Sequence, residues 1–282
     1  MRREDMTRTI LITGCSTGIG FCCAGGMKAR GWRVFATARK PADIARLEND
    51  GLESVYLDYT EPASIAAALA DVLAATDGRL DALFNNGAYA QPGAVEDLPM
   101  AALREQFETN FFGWHDLTRR VIPLMRQQGH GRIVQNSSVL GLVAMGFRGA
   151  YTASKFALEG YSDTLRIELD GTGIHVATIE PGPIESRMGQ TAARAARAHI
   201  DMGNSLHRDY YERRIAMLEQ GRGNTRGQLG PEAVLKVLVH ACESKRPRTH
   251  YYVTGPTRIA AAMRRILPGR MLHAALARAS RS

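Results

Sequence analysis

The 282-residue chain is 45% hydrophobic, enough for one large α/β core, and it has no run of about 18 apolar residues to cross a membrane as a helix. Its formal charge of +8 favours anionic partners, but no zinc-finger spacing or aromatic-rich basic motif accompanies it, which excludes nucleic acid as the expected ligand. Four cysteines, at 15, 22, 23 and 242, form no Cys-x-x-Cys pair, which argues against a metal site and for small buried thiols in a reducing, cytoplasmic setting.

Thr9–Thr13 is the first apolar run and reads as a strand buried on both faces. Thr13-Gly14-Cys15-Ser16-Thr17-Gly18-Ile19-Gly20 follows it and opens a helix over Gly18–Arg30. Glycines there let the backbone approach a pyrophosphate, and the helix start offers free N–H groups and a positive dipole end. Placement between a strand and a helix makes this a phosphate loop rather than a plain turn. The next strand, Trp32–Thr37, runs into Ala38-Arg39-Lys40. A cofactor with a free ribose 2′-hydroxyl usually meets an acidic side chain here. Arg39 and Lys40 suit a 2′-phosphate instead, so NADP(H) is expected over NAD(H).

A helix over Ala42–Glu48, a strand over Ser54–Asp58, a helix over Pro62–Ala75 and a strand over Ala82–Asn85 continue the alternation. A long helical stretch, Met100–Arg126, precedes the strand Arg132–Asn136; a helix over Gly149–Leu169 and the strand His175–Ile179 follow. The pattern lapses across residues 186–230, an Arg- and Ala-rich insertion read as a substrate lid, then resumes with the helix Pro231–Glu243 and the strand His250–Val253. Such alternation predicts a single domain over residues 1–282, a doubly wound Rossmann fold on a parallel seven-stranded sheet. Its ligands bind beyond the carboxyl ends of the strands.

Tyr151 and Lys155 stand four residues apart, which places phenol and ammonium one turn apart on a helix face. A neighbouring ammonium favours phenolate, the tuning a tyrosine needs for proton transfer near neutral pH. Ser138 lies upstream, where its hydroxyl would hold a substrate oxygen.

In this order the motifs resemble the short-chain dehydrogenase/reductase family, in its Thr-Gly-x-x-x-Gly-Ile-Gly subgroup, over about residues 9–185. The resemblance implies that Gly14, Ser16, Thr17, Gly18, Ile19, Gly20, Arg39, Asp58, Asn85, Gly87, Pro181, Gly182, Ile184 and Ser186 meet the cofactor together with Tyr151 and Lys155. It implies that Tyr151 is the acid-base and that Lys155 lowers its pKa and binds ribose hydroxyls. Ser138 would polarise the carbonyl, and Asn110 would hold a water in a proton relay. Two departures stand out: Asn85-Asn86-Gly87-Ala88 replaces the usual Asn-Asn-Ala-Gly, and Ser186 replaces a threonine.

The stretches 111–126 and 129–169 most resemble the 17β-hydroxysteroid and retinol dehydrogenase branch, implying a small hydrophobic alcohol or carbonyl substrate. Leu140, Leu142, Val143, Ala144, Met145 and Phe147 are candidates for an apolar pocket wall. Residues 256–282 form a basic, amphipathic tail split at Pro268-Gly269, expected either to cover the cleft or a subunit contact or to touch a membrane surface peripherally. The family implies a homodimer or homotetramer. Two rival functions are a 3-oxoacyl-carrier-protein reductase, which would use the basic surface, and a non-enzymatic cofactor-binding homologue.

Overall fold

The computed structural model describes residues 7–221 and 227–281. Seven parallel strands form one sheet in the order β3-β2-β1-β4-β5-β6-β7: β1 (Thr9–Ile12), β2 (Arg33–Ala38), β3 (Glu53–Tyr56), β4 (Ala82–Asn85), β5 (Gly131–Asn136), β6 (Ile174–Glu180) and β7 (His250–Tyr252). The predicted doubly wound architecture is therefore present, with strand ends displaced by one or two residues. Successive side chains on a strand point to opposite faces. Ile10 and Ile12 of β1 thus join one core, with Phe84 and Ile179, beneath α1 (Gly18–Ala29), while α2 (Pro41–Asn49) lies at the β2–β3 end. Leu11 joins the other core, with Leu83 and Ile133, beneath α3 (Pro62–Ala75). Each such side chain contributes roughly 1.5–3 kcal/mol when fully buried.

The stretch expected as one helix over Met100–Arg126 is interrupted. It divides into α4 (Met100–Phe107), a π-helical turn over Glu108–Phe112, and α5 (Gly113–Gln128). The widened turn carries Asn110, whose amide oxygen accepts from Tyr89 N and whose Nδ2 donates to Tyr89 O. π-Turns of this kind concentrate at functional sites. α6 (Gly149–Glu168) crosses the sheet beside α5.

The insertion at 186–230 holds two helices, α7 (Met188–His199) and α8 (Arg208–Glu219); residues 222–226 of it lie outside the described residues. Ala193, Ala196, Ile215 and Leu218 pack the pair together. After α9 (Glu232–Glu243) and β7, the tail forms α10 (Gly255–Ile266) and α11 (Gly269–Arg281), parted at Pro268 as its sequence predicts. Arg264 of α10 donates to Leu142 O at 2.7 Å, and Gly146 N donates to Ser280 Oγ at 3.1 Å. The tail thus lies over the segment between Ser138 and Tyr151. No helix among the described residues is long and apolar enough to cross a membrane.

Candidate active site at the carboxyl ends of the strands

The phosphate loop leaves β1 where the sheet ends. Gly14 has φ +68° and Gly18 φ +59°, a left-handed backbone that favours glycine. A Cβ at Gly14 would lie 2.5 Å from Gly87 Cα, and one at Gly20 2.2 Å from Gly14 O. The loop and the end of β4 therefore touch backbone to backbone. Thr17 precedes α1, whose first turn has no acidic residue. The free N–H groups of Gly18, Ile19 and Gly20 open towards an anion, a cradle that fits a pyrophosphate. Ser16 O accepts a hydrogen bond from Arg46. Cys15 is fully buried, and burial pushes its thiol up to about 12, so it is inert packing.

The glycine shift at 86–88 has a cause far along the chain. A Cβ on Gly87 would come within 3.2 Å of the Tyr59 ring, and one on Gly113 within 2.4 Å of Tyr59 Cβ. The two glycines make room for Tyr59, whose hydroxyl donates to Asn85 Oδ1 at 2.7 Å and lies 2.8 Å from Thr13 Oγ1. Asn85 Nδ2 donates to Thr118 Oγ1 and Gln135 Oε1, each at 3.0 Å. The Asn85 side chain is thus fully engaged inside the protein, and the residue, paired with Gln135 in the sheet, has no exposed surface to offer a cofactor.

Around the rest of the rim, Asp58 follows β3 and accepts from Thr60 N at 2.9 Å. Arg39, 61% exposed, reaches Asp58 at 3.4 Å, so an exposed guanidinium stands beside the residue expected at the adenosine end. Pro181 O accepts from Val139 N at 2.8 Å, joining the end of β6 to the serine segment. A Cβ on Gly182 would meet Thr254 Oγ1 at 2.2 Å. Ile184 pairs with Leu229 across the base of the insertion. Ser186 sits against Gly18, 3.3 Å from where a Cβ would stand.

Tyr151, Lys155 and Ser138 lie in the same region, at the end of β5 and along α6. Tyr151 and Lys155 lie on α6, and Ser138 caps the 3-10 turn after β5, its Oγ accepting from Leu140 N at 3.1 Å. Asn110 lies behind, fully buried, with Nδ2 3.4 Å from Ser154 Oγ on α6.

The electrostatics depart from the expected tuning. Burial pushes the Tyr151 phenol above its ordinary value; the nearby Ser138 hydroxyl and the Arg148 guanidinium draw it back only partly. Lys155 is only 1% exposed, and burial draws its ammonium down to about 7, partly offset by the Glu159 carboxylate. Lys155 Nζ donates to Asn136 O at 2.7 Å and sits 4.4 Å above the Trp114 ring, but 5.7 Å from the Tyr151 ring. Its charge thus rests on a carbonyl and an aromatic face.

Sequence reasoning missed Tyr59, Trp114, Arg148 and Glu159. Trp114 is fully buried and donates from Nε1 to Gly87 O at 2.8 Å, tying the floor under Lys155 to the segment after β4 that touches the phosphate loop. The one available signal was the pairing of Gly87 and Gly113 with a large aromatic at Tyr59. The expected apolar wall is partial. Leu140 packs with Tyr151, Ala90 and Ala192, and Val143 is buried, but Ala144 and Met145 are exposed. Phe147 holds φ +59° and stacks on Tyr210 of α8 at 3.7 Å. A non-glycine residue in that region is costly and marks a held conformation beside the site.

Known proteins resemble this chain in sequence and fold. The family model described as short chain dehydrogenase matches residues 8–197. The uncharacterized oxidoreductase YbbO of Escherichia coli (strain K12) is 40% identical over 267 residues, covering 95% of this chain and 93% of that protein. Retinol dehydrogenase 8 of Homo sapiens is 32% identical over 251 residues, covering 85% and 79%. Among solved structures, a short-chain dehydrogenase from Streptomyces avermitilis superposes with a TM-score of 0.78 at 27% identity, covering 96% of this chain and 95% of that one. The closed form of serine dehydrogenase complexed with NADP+ gives 0.74 at 25%, covering 88% and 95%.

Proposed function

This chain belongs to the short-chain dehydrogenase/reductase family, an oxidoreductase family, and from that premise we propose that it interconverts a hydrophobic alcohol and its ketone or aldehyde, with NADP(H) preferred over NAD(H). The observation that carries the reading is the buried Tyr151 phenol, one helical turn from Lys155 and packed against Leu140 beside Ser138, near a glycine cradle with backbone contacts too close for any side chain.

Tyr151 exchanges a proton with the substrate oxygen, and Ser138 holds that oxygen in line. Lys155, anchored on Asn136 O, offers its remaining N–H groups to the cofactor ribose. Asn110 keeps the π-turn and α6 in register behind the phenol. The bound nicotinamide supplies or accepts the hydride. Gly14, Gly18 and Gly20 hold the pyrophosphate, Asp58 the adenine end, and Pro181, Gly182, Ile184 and Ser186 the nicotinamide end.

The apolar contacts of Tyr151 with Leu140, Ala90 and Ala192 support a lipophilic substrate, and α7, α8 and the tail supply further cover. Retinol dehydrogenase 8 is named for a lipophilic alcohol. NADPH oxidation with a panel of long-chain aldehydes, ketones and an oxoacyl thioester tests the reading; faster turnover of the thioester would favour a carrier-protein reductase, and no turnover at all a non-enzymatic homologue.

Cofactor preference rests on Arg39. No acidic residue ends β2, and Lys40 follows as the residue before α2. Arg39→Ala is expected to lower the NADPH-over-NADH ratio of kcat/KM by about 10- to 100-fold, since a hydrogen bond to a charged group contributes ~1.5–3 kcal/mol. An unchanged ratio, or a wild-type enzyme that prefers NADH, would overturn the assignment.

A further inference from the structure

We propose that Arg148 and Arg214 form an anion-binding subsite for the substrate, so that the alcohol or carbonyl compound carries a carboxylate or a phosphate ester on its apolar chain. The proposal rests on the reading of Tyr151 as the acid-base, and it names a substrate class for that same site.

The insertion brings Arg214 to the start of α6. Arg148 is the N-cap of α6 and stands three residues before Tyr151, one turn away along the chain. Its backbone pairs with Gly93, and Gly93 N donates to Phe147 O at 3.0 Å. Ala94 N donates to the Tyr211 hydroxyl at 2.8 Å, and the Phe147 ring stacks on Tyr210 at 3.7 Å. Tyr210 and Tyr211 therefore dock α8 on the segment that carries Arg148. Arg214 follows these tyrosines by four and three residues, which places it on the face they share. Tyr151 itself packs with Ala192 of α7 and with Ala90, so the same insertion closes on the phenol. The left-handed Phe147 backbone, φ +59°, holds the aromatic stack beside Arg148.

Neither guanidinium has a counter-charge. Among the described residues, Arg148 and Arg214 enter no ion pair, side-chain hydrogen bond or cation–π contact. Other arginines of the insertion do: Arg197 pairs with Glu219, and Arg208 with Glu212. The acidic side chains after residue 94 are engaged elsewhere. Glu96 holds His207, and Asp97 accepts from Ser205 and Tyr211. The first turn of α6 has no acidic residue. Arg148 and Arg214 are both partly buried. Burial and the like charge of Arg214 lower the Arg148 pKa, and the groups that oppose this are Tyr210 and Tyr151. A guanidinium withdrawn from water near a second one is costly unless an anion joins them. The planar fork of arginine takes a carboxylate or a phosphate through two parallel N–H bonds. Leu140, Ala90 and Ala192 around Tyr151 supply the apolar surface for the chain beyond that group.

The test offers the full-length enzyme, with NADPH, two matched pairs of substrates: an oxo acid with its methyl ester, and a keto alcohol with its phosphate ester. We expect wild-type kcat/KM to favour the anionic member by about 10- to 100-fold; preference in one pair alone names the oxyanion that the subsite takes. Arg148→Met and Arg214→Met are each expected to erase most of that ratio through KM, while Arg214→Lys retains part of it. Decanoate, which has no carbonyl to reduce, is expected to bind the wild type in a calorimeter and each methionine variant about tenfold less tightly. Indifference of the wild type within both pairs would overturn the proposal, as would a ratio and a decanoate affinity unmoved in both methionine variants. So would a shifted pH profile in Arg148→Met with the ratio intact, which would assign that guanidinium to the phenol alone. If Arg148→Met does not fold, Arg214→Met decides. Failure of the acid-base reading is separate: it appears as an active Tyr151→Phe.

Discussion

Tyr151→Phe is expected to lower kcat by about 10²–10⁴-fold while leaving NADPH binding measurable. The change removes a single oxygen. The ring retains its packing with Leu140, Ala90 and Ala192, so the fold has little reason to move. What disappears is the proton donor. The pH dependence of the wild type has a definite sign. Burial raises the phenol above its usual value near 10, so the donor form predominates at neutral pH. Carbonyl reduction needs that form and declines as pH climbs through the phenol's pKa. Alcohol oxidation needs the phenolate and grows over the same range. Steady-state rates in both directions, with a fluorescence titration of NADPH, check both points. Full activity in the phenylalanine variant would remove Tyr151 from the chemistry.

Gly14→Ala is expected to destabilise the protein by about 2–4 kcal/mol, through left-handed strain and overpacking together, and to abolish NADPH binding at micromolar protein. The added Cβ meets Gly87 Cα at 2.5 Å, and that backbone cannot withdraw. Gly87 N donates to Thr13 Oγ1 at 3.1 Å, and Gly87 O receives Trp114 Nε1 at 2.8 Å. Pushing Gly87 aside would disturb the aromatic floor on which Lys155 rests. Gly25→Ala is the control, because nothing lies within 4 Å of its added Cβ and the site is an exposed helical position. There the substitution is expected to stabilise by roughly 0.5–1 kcal/mol. Denaturant midpoints and NADPH titrations of the two variants separate a loop-specific effect from a general one. A Gly14→Ala protein with a wild-type midpoint would show that the loop relaxes.

Much of this molecule is legible along the chain because its signals are short-ranged. Period-two apolar runs bring Ile10 and Ile12 to one face and Leu11 to the other before any neighbour is known. The glycines of the phosphate loop lie within seven residues of one another. The helix that follows supplies its N–H groups by geometry alone. Tyr151 and Lys155 share a face through the helical repeat. The split of the tail at Pro268 follows from a ring that cannot continue a helix.

The direction of the Lys155 ammonium was not legible. Spacing places it a turn from Tyr151, yet Asn136 O and the Trp114 ring, contributed by β5 and α5, turn it away. Nor was the π-turn at Asn110, which answers to Tyr89 on another segment. Gly87 looked like a displaced turn glycine, while its cause is the ring of Tyr59.

The sequence by itself determined the succession of strands and helices, the phosphate loop and the shared helix face of Tyr151 and Lys155, because backbone periodicity and local sterics act over a few residues. The tertiary structure alone decided what surrounds them. Parallel register brings Glu180 beside Tyr252 and Asn136 beside Ile179, and so delivers His250, Glu180 and Glu159 to one buried point from separations of up to 91 residues. Which charges meet in a dry interior depends on how sheet and helices pack, and no local pattern encodes that distance.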